Sequence, residues 1–383
     1  MRRPVLKMFC RAVCLLSAVF ALGGCMVHEW PDESIPAVLE VEMVFDTEFQ
    51  PLRDVEYAKK TKANPEDYNI RYQIRAYRAL KNGGYDVVPQ VEYLFVKSDV
   101  NTLDHNVTLV IPEGNYMLRV WADYVDAGKV DDKYYLTEDF SSITVAEPYE
   151  GDTDFRDAFE GSSEVSVVRV GANAEKTHVK VDMQRPLAKF QFLATDFYDL
   201  VTKAMEKYMS SKEYADYLQT RRTQQMSGTT DAECQFEVTS TDNLPDDGTK
   251  APWDPTKAPG FNPEDYKIVF YYNSYLPTEY NLITGKPTDA KMGMMFSSSL
   301  QPLNEDEALI GFDYVIVNGV ESSVTLQVAL YAPDGELMSL SNPVVVPVVR
   351  GKVTTVRGKF LTLTTGGGIG IDPGFDGEFN LVI

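Results

Sequence analysis

The stretch VLEVEMVFD, residues 38–46, alternates apolar and acidic side chains and indicates a β fold. Successive side chains of a strand point to opposite faces, so a period of two buries one face and leaves the other in water. The acidic face carries Glu40, Glu42 and Asp46. The apolar face carries Leu39, Val41, Met43 and Phe45. Residues 37–46 therefore predict a half-buried strand at the start of the folded part of the chain.

Further alternating runs in the first half of the chain predict a series of short strands. They lie at residues 70–77, 107–111, 116–124, 134–136, 165–170 and 177–183. The turn sequence Pro112-Glu113-Gly114 separates two of these runs, 107–111 and 116–124, and this arrangement is typical of a β-hairpin. We therefore expect these two strands to pair with each other.

A second series of strands follows Arg185-Pro186. Its members are residues 187–193, 267–272, 308–317, 323–331, 342–349 and 352–363. Two successive sets of short strands predict an all-β fold with two tandem β-sandwich domains, residues 37–184 and 185–365. A single large barrel is the alternative.

The β pattern of the second domain is interrupted by a predicted insertion, residues 196–265. Its first part has apolar residues at helical spacing and predicts a small helical insertion. These residues are Phe197, Leu200, Val201, Ala204, Met205 and Tyr208. Residues 226–265 hold several Pro, Gly and Asp residues, which is typical of a long loop. After the second domain, Gly366-Gly367-Gly368 forms a hinge that opens the tail, residues 366–383.

The N-terminus has the features of a secretory signal with a lipobox. Basic residues precede an apolar run, residues 12–22, that is too short for a permanent transmembrane helix, and Leu22-Gly23-Gly24-Cys25 follows. We expect removal of residues 1–24 and acylation of Cys25, with residues 25–36 as a polar tether. Burial of acyl chains contributes about 0.8 kcal/mol per CH₂, so two or three chains hold a protein on a membrane. The alternative is an ordinary signal peptide with a chance cysteine.

The composition disfavours several classes of partner. The formal net charge is -21, with 57 Asp and Glu among 383 residues, which argues against nucleic acid and against electrostatic binding to anionic lipid. Beyond Cys25 no apolar run reaches transmembrane length, so the lipid is the expected membrane attachment. Of four cysteines, Cys10 and Cys14 leave with the signal. Only Cys234 remains unmodified, so we expect no internal disulfide.

The sequence lacks the motifs of the common catalytic, metal and cofactor sites. The three histidines, His28, His105 and His178, have no ligand-like spacing. There is no phosphate loop, no dinucleotide fingerprint after a strand and no G-x-S-x-G elbow. We therefore expect no enzymatic activity, no bound metal and no cofactor.

One acidic segment has part of the pattern of a calcium loop. Glu150, Asp152 and Asp154 alternate, but Phe155 occupies the position of the turn glycine and Gly161 that of the bidentate glutamate. Because two required positions are filled by unsuitable residues, we interpret the segment as a solvated loop rather than as a calcium site.

Four segments resemble the fimbrillin-like lipoproteins of Bacteroidales, which are pilus subunits and pilus accessory proteins of gut and oral anaerobes. The segments are Pro112-Glu113-Gly114-Asn115-Tyr116 with Trp121-Ala122-Asp123-Tyr124, then residues 185–190, residues 347–362, and Asp372-Pro373-Gly374-Phe375. The resemblance spans nearly the whole mature chain. It implies two transthyretin-like Greek-key sandwiches, an outer-membrane or cell-surface location, and assembly by strand exchange.

The resemblance also implies a processing site. In polymerising members a protease cuts after a basic residue in the loop that follows the first strand, and a strand from another subunit then fills the vacated groove. Residues 37–46 match that first strand, and Arg53 and Lys59-Lys60 follow it, so Arg53 is a candidate cleavage position. Anchor members keep the lipid and are not cut. A plain exposed loop is therefore the alternative.

The tail has enough apolar surface to dock in a groove. Its apolar side chains are Phe375, Phe379, Leu381, Val382 and Ile383. Because the glycine hinge leaves the position of the tail undetermined by the preceding strand, two outcomes are open. The tail either folds back on the second domain or adds as a donor strand to a neighbouring subunit.

The sequence thus predicts a bacterial cell-surface lipoprotein that is a fimbrial subunit or anchor and acts in strand-exchange assembly and adhesion. Its expected partners are other fimbrial subunits or surface ligands of host or bacterial cells, and the outer membrane through the lipid. One alternative is a non-polymerising surface lipoprotein that binds glycan or protein. A more distant alternative is an acidic secreted hydrolase.

Overall fold

The computed structural model describes residues 36–45, 65–168, 176–212, 215–216, 219, 261–363, 372–376 and 378–382, with backbone alone for the last two ranges. Within these residues the chain is built from β-strands and one long helix. Two apolar cores lie between the sheets: the first is built mainly by the first half and includes side chains of the second, such as Tyr280 and Phe312, and the second is built by the second half. The predicted all-β class with two sandwiches is therefore confirmed, and the single barrel is excluded.

The first half folds as two sheets that enclose the first core. Its strands are β1 (Pro36–Phe45), β2 (Tyr68–Arg78), β3 (Val91–Lys97), β4 (His105–Pro112), β5 (Gly114–Asp126), β6 (Tyr135–Leu136), β7 (Ile143–Val145), β8 (Ala158–Val167) and β9 (Thr177–Met183). One sheet has the order β4-β1-β9 and the other β3-β2-β5-β8. Phe45 of β1 and Phe159 of β8 meet edge to face across the core, with ring centroids 5.0 Å apart. The inward faces of the two sheets thus interdigitate.

The hairpin predicted around Pro112-Glu113-Gly114 is wrong. β4 pairs with β1, whereas β5 pairs with β2 and β8 in the facing sheet. The short connection is therefore an arch between two sheets, and the Tyr116 hydroxyl fixes it by donating to the Pro112 carbonyl at 2.9 Å. The alternation of apolar residues is the same for a hairpin and an arch, because both bury one face of each strand, so the pattern alone does not identify the pairing partner.

The second half also folds as two main sheets, which enclose the second core. Its strands are β10 (Leu187–Ala194), β11 (Lys267–Tyr272), β12 (Leu276–Asn281), β13 (Lys286–Lys291), β14 (Met295–Ser299), β15 (Gln301–Pro302), β16 (Ala308–Ile316), β17 (Glu321–Tyr331), β18 (Leu337–Leu340), β19 (Val344–Val349), β20 (Val353–Gly358), β21 (Asp372–Asp376) and β22 (Glu378–Val382). The orders are β15-β16-β10-β20-β22-β21 and β14-β11-β17-β18, with β19 also paired to β17. Phe192 of β10 packs edge to face on Phe270 of β11 at 5.2 Å across this core.

The predicted helical insertion is confirmed as α1 (Phe197–Met209). Its apolar stripe docks on the second core through Phe197, Leu200 and Val201. Asp196, just before the helix, accepts hydrogen bonds from the backbone N–H groups of Phe360, Leu361 and Thr362, so the helix start is tied to the segment after β20. Residues 226–260 of the predicted long loop lie outside the described residues.

The two halves share a further sheet and are not separated by an open linker. Its order is β13-β12-β7-β6, and β12 of the second half pairs with β7 of the first through Glu279 with Thr144 and Tyr280 with Ile143. Arg185, where we predict the domain boundary, is fully buried and forms an ion pair with Asp157 at 2.9 Å. The junction is therefore part of the packed interior, and the boundary itself stays a prediction.

Buried charges cross the junction in matched pairs. Arg156 of the first half donates to Asp313 of β16 at 3.0 Å, and the hydroxyls of Tyr149 and Tyr272 each donate to the same carboxylate at 2.6 Å. A buried charge that loses its partner is strongly destabilising, whereas a satisfied pair is close to neutral. These contacts therefore specify how the halves sit together more than they add stability.

Candidate functional site

The first strand is the candidate site for strand exchange, and the structure places β1 at the centre of its sheet. It runs antiparallel to β4, with Leu39 opposite Leu109, and parallel to β9, with Leu39 opposite Thr177. The predicted range, residues 37–46, agrees with the observed strand to within one residue at each end. β1 therefore pairs along its length with strands that lie far away in the sequence.

Burial of one face holds β1 in the position between β4 and β9, which we call the β1 slot. The inward side chains are at most 6% exposed and alternate along the strand: Ala37, Leu39, Val41, Met43 and Phe45. Full burial of a large apolar side chain stabilises by roughly 1.5–3 kcal/mol, so an empty slot would expose a row of apolar pockets and two rows of unpaired backbone groups. A replacement strand would have to restore the same alternation of apolar side chains.

The outward face of β1 is held by exposed ion pairs. Glu40 contacts Lys176, and its Oε2 lies 3.0 Å from Nδ1 of His178 on β9. The hydrogen bond from Lys176 lowers the pKa of the Glu40 carboxyl. Exposed ion pairs contribute little to stability, so apolar burial and the backbone ladder are what retain the strand.

The tail lies at the edge of a sheet in its own second half. The backbone of β22 runs parallel to β20, with Phe379 opposite Thr354 and Leu381 opposite Val356, and β21 runs antiparallel to β22. Side chains of the candidate donor residues Phe375, Phe379 and Leu381, and residue Ile383 as a whole, lie outside the described part of the chain. The tail is thus strand-forming, and its role as a donor stays a prediction.

Several predicted features fall outside the described residues. They are the signal peptide 1–24, Cys25 and the tether, Arg53 with Lys59-Lys60, Cys234, and the glycine hinge at 366–368. Lipidation and cleavage therefore stay predictions. In the part of the chain that the structure describes, no helix is long and apolar enough to cross a membrane.

The described residues include no group of three or more His, Cys, Asp or Glu side chains placed to hold a metal ion. His105 stacks on Phe95 with ring centroids 4.3 Å apart. Burial, with a smaller contribution from nearby Lys97, lowers the pKa of His105. This histidine therefore serves as a packing residue of the first core.

The structure adds a feature that the sequence did not indicate, a cleft of about 680 Å³ at the junction of the two halves. One wall carries Tyr68, Tyr134 and Tyr149, and the other carries residues 296–299 together with Gln301. The floor is the acidic segment 150–153. No sequence pattern connects these positions, because they come from opposite halves of the chain.

The interpretation of the acidic segment as a solvated loop holds for the exposed Glu150 and is wrong for Asp154. Asp154 is buried and forms an ion pair with Lys189 at 2.7 Å. The Asp152 backbone N–H donates to the Phe312 carbonyl at 2.9 Å, and burial raises the pKa of the Asp152 carboxyl to about 7. Asp154 faces the packed junction because Lys189 supplies its partner there, whereas Glu150 is exposed.

The family model that matches the chain, over residues 36–383, is that of a family of unknown function, DUF6562. No significant match is found among curated proteins. Among solved structures, the chain is similar to proposed polysaccharide-binding proteins of Bacteroides thetaiotaomicron, at 11% identity and a TM-score of 0.38, with 80% of each chain covered.

Two fimbrial proteins of Porphyromonas gingivalis are also similar in structure. The fimbrial anchor protein Mfa2 matches at 11% identity and a TM-score of 0.33, covering 80% of this chain and 82% of Mfa2. The tip fimbrial protein Mfa3 matches at 11% identity and a TM-score of 0.34, covering 82% of this chain and 81% of Mfa3. The solved structures similar to this chain thus include fimbrial anchor and tip proteins.

Proposed function

We infer that this chain, which belongs to DUF6562, a family of unknown function, is a lipid-anchored cell-surface protein that serves as a fimbrial subunit or anchor and assembles by strand exchange. The observation that carries the proposal is the setting of β1, an apolar strand at the centre of a three-stranded sheet. Its partners β4 and β9 hold it through the backbone ladder and one buried face. In this role the chain is an assembly and adhesion protein with no catalytic function.

Strand exchange uses the features that the β1 slot provides. Main-chain hydrogen bonds supply pairing with any extended segment, and pockets for alternate side chains select its sequence. The tail is the proposed donor, because its backbone already forms strands and pairs parallel to the last strand of a sheet. The proposed partners are other fimbrial subunits, and the proposed location is the bacterial outer membrane or cell surface.

Subunit and anchor roles differ in the fate of Cys25. Cleavage after Arg53 would release β1 together with the N-terminal lipid, so a polymerising subunit would begin after Arg53 and carry no acyl chain. An anchor would begin at acylated Cys25 and keep β1. Mass spectrometry of the mature protein from cell membranes distinguishes the two, and Arg53→Ala should leave an anchor unchanged while it blocks maturation of a subunit.

A disulfide across β1 and β4 tests strand exchange directly. Glu42 and Asn106 are exposed and directly opposite each other in the antiparallel register, a geometry that brings Cβ atoms within disulfide range. In a Cys234→Ser background, Glu42→Cys with Asn106→Cys should abolish detergent-resistant oligomers when oxidised and restore them on reduction. The control pair Lys267→Cys with Ser299→Cys joins β11 to β14 and should leave oligomers unaffected. Equal oligomer formation in both redox states contradicts exchange at β1 and with it the subunit role, whereas an anchor, which keeps β1, is identified by acylated Cys25.

The second candidate function is a surface lipoprotein that binds glycan or protein without polymerising. The cleft at the junction is the observation that favours it, because a concave site with aromatic and polar walls suits a ligand rather than an assembling strand. A chain that stays monomeric in both redox states, with β1 retained, would support this candidate.

A further inference from the structure

The walls of the junction cleft combine aromatic rings with many hydroxyl groups. Tyr68, Tyr134 and Tyr149 of the first half line it together with Ser298 of β14 and Gln301 of the second half. No Lys, Arg or His is among the residues that line the cleft in the described part of the chain. The hydroxyls of Tyr68 and Tyr134 bond to each other and that of Tyr149 donates to Asp313, so these side chains offer a ligand mainly the surface of their rings.

Two acceptor oxygens at this cleft lack hydrogen-bond partners. They are Oδ1 of Asp152 and Oε1 of Gln301, both buried atoms of lining residues. A buried polar group without a partner is costly, and native structures rarely keep one without a reason. Two orphaned acceptors in one cleft point to a ligand that supplies donors.

The floor of the cleft is held in a fixed conformation. Asp152 adopts a left-handed backbone, with φ of 58°, which non-glycine residues seldom do. Gly151 packs so closely on Phe296 that a Cβ atom would lie 2.4 Å from the ring. Backbone strain that packing maintains is found preferentially at functional sites. The carboxyl of Asp152 is therefore positioned before any ligand arrives, which reduces the entropic cost of binding.

We propose that this cleft binds one neutral sugar unit of a glycan. Sugar hydroxyls can donate to Asp152 and Gln301, while the apolar face of a pyranose ring packs on a tyrosine. The exposed carboxylate of Glu150 repels anionic sugars, so sialic and uronic acids are disfavoured. The proposal does not rest on strand exchange, since a subunit, an anchor or a monomeric binding protein would carry the same cleft.

Saturation-transfer NMR on the purified full chain tests the proposal. The probes are the methyl glycosides of glucose, galactose, mannose, fucose and N-acetylglucosamine, with N-acetylneuraminic acid and glucuronic acid as anionic comparisons. At least one neutral glycoside should show transfer, and the anionic sugars should not. Absence of transfer from every neutral glycoside, or preferential binding of an anionic sugar, overturns the proposal. Binding of a basic peptide by a chain that binds none of the glycosides also overturns it.

Two variants locate the binding. Glu150→Trp fills the cleft from an exposed position of its lining and should reduce the affinity for the bound glycoside by at least about tenfold. Ser323→Trp, at an exposed position of β17 outside the cleft, is the matched control and should bind like the native chain. Unchanged binding by Glu150→Trp, or an equal loss in both variants, places the sugar elsewhere and refutes the site.

Asp152→Asn tests the carboxyl whose Oδ1 has no hydrogen-bond partner, although the group as a whole bonds to Ser298. Asparagine has nearly the same shape and tolerates the left-handed backbone, so the fold should persist, which thermal denaturation verifies. Replacement of one acceptor oxygen by an N–H donor should reduce the affinity for the glycoside several-fold. An unchanged affinity in a folded Asp152→Asn chain would remove Asp152 from the site and contradict its proposed role.

Discussion

Each half of the molecule begins with a strand that has one antiparallel and one parallel neighbour, but the two strands differ in what surrounds them. β1 lies antiparallel to β4 and parallel to β9, and β10 lies antiparallel to β16 and parallel to β20. β10 contributes to both cores, with Phe190 and Phe192 in the second and Leu187 and Leu193 in the first. β1 contributes to one core and presents its other face to water. Withdrawal of β10 would open both cores, whereas withdrawal of β1 would open only the first.

The outer edges of the two parallel strands differ as well. The far edge of β20 is covered by β22 of the tail. Within the described residues, the far edge of β9 has no paired strand. The tail thus fills in the second half a position that stays open in the first, which shows how sheets of this topology accept an additional parallel strand.

The largest effect in this comparison is expected for Phe192→Ala in β10. Phe192 is fully buried and packs on Phe270 and Phe360, so its truncation should lower the free energy of unfolding by about 3–5 kcal/mol. Urea denaturation of the full chain measures the loss. Val345→Ala, at an exposed position of β19, is the control and should change stability by less than about 0.5 kcal/mol. Equal small losses in both variants would show that β10 is not the more firmly fixed strand.

A smaller and more local effect is expected for Leu39→Ala in β1. The free energy of unfolding should fall by about 2–4 kcal/mol. Because β1 belongs to one core only, the local destabilisation should be confined to the sheet β4-β1-β9. Hydrogen exchange should accelerate in that sheet and remain slow in β10, β16 and β20. Uniform acceleration across both halves would break the distinction between the two strands.

The stability of the junction between the two halves should depend on pH through Asp152. Its pKa is about 7 in the folded chain against an ordinary value of 3.8, so folding favours the protonated form. That stabilisation is complete below the unfolded pKa and disappears as the pH rises through 7. Between pH 5 and 8 the free energy of unfolding of the native chain should fall by about 1–3 kcal/mol more than that of Asp152→Asn.

Chemical denaturation at several pH values measures this difference. The control Asp86→Asn, at an exposed turn position, should follow the native chain. Parallel pH profiles for the native chain and Asp152→Asn would mean that the carboxyl at the junction is solvated, contrary to its position in the structure.

The smallest effect is expected for Glu40→Gln on the outward face of β1. The substitution removes the exposed contacts to Lys176 and His178, and exposed pairs of this kind contribute little. The urea midpoint should stay within experimental error of the native value at both low and high salt. A clear, salt-dependent loss would indicate that charge as well as burial retains β1.

The sequence predicted the strands whose one face is buried and whose other face is polar. β1, β2, β9 and β17 follow that pattern and were found nearly within their predicted bounds. β13 was missed because its sequence KPTDAK has no apolar alternation, and it forms only by pairing with β12. The arch at Pro112-Glu113-Gly114 was wrongly predicted as a hairpin because the alternation of apolar residues does not identify the partner strand.

The candidate sites were predictable to different degrees. The β1 slot could be anticipated from the alternation in residues 37–46, but not its parallel pairing with β9, which joins positions such as Leu39 and Thr177. The junction cleft could not be anticipated at all. It depends on Tyr68 and Gln301 lying together, and the burial of Asp154 depends on Lys189 as a distant partner.

The placement of β1 between two neighbours also has a mechanical consequence. Hydrogen bonds of a sheet lie across the strand direction, so a pull along β1 from a membrane-anchored N-terminus loads the bonds to β4 and β9 together, in shear. A pull applied perpendicular to the strand would break them one after another. A chain tethered through the residues before Pro36 would therefore resist tension along β1 with its whole ladder, while a cut in the connection between β1 and β2 would leave that ladder as the sole link between the anchor and the rest of the protein.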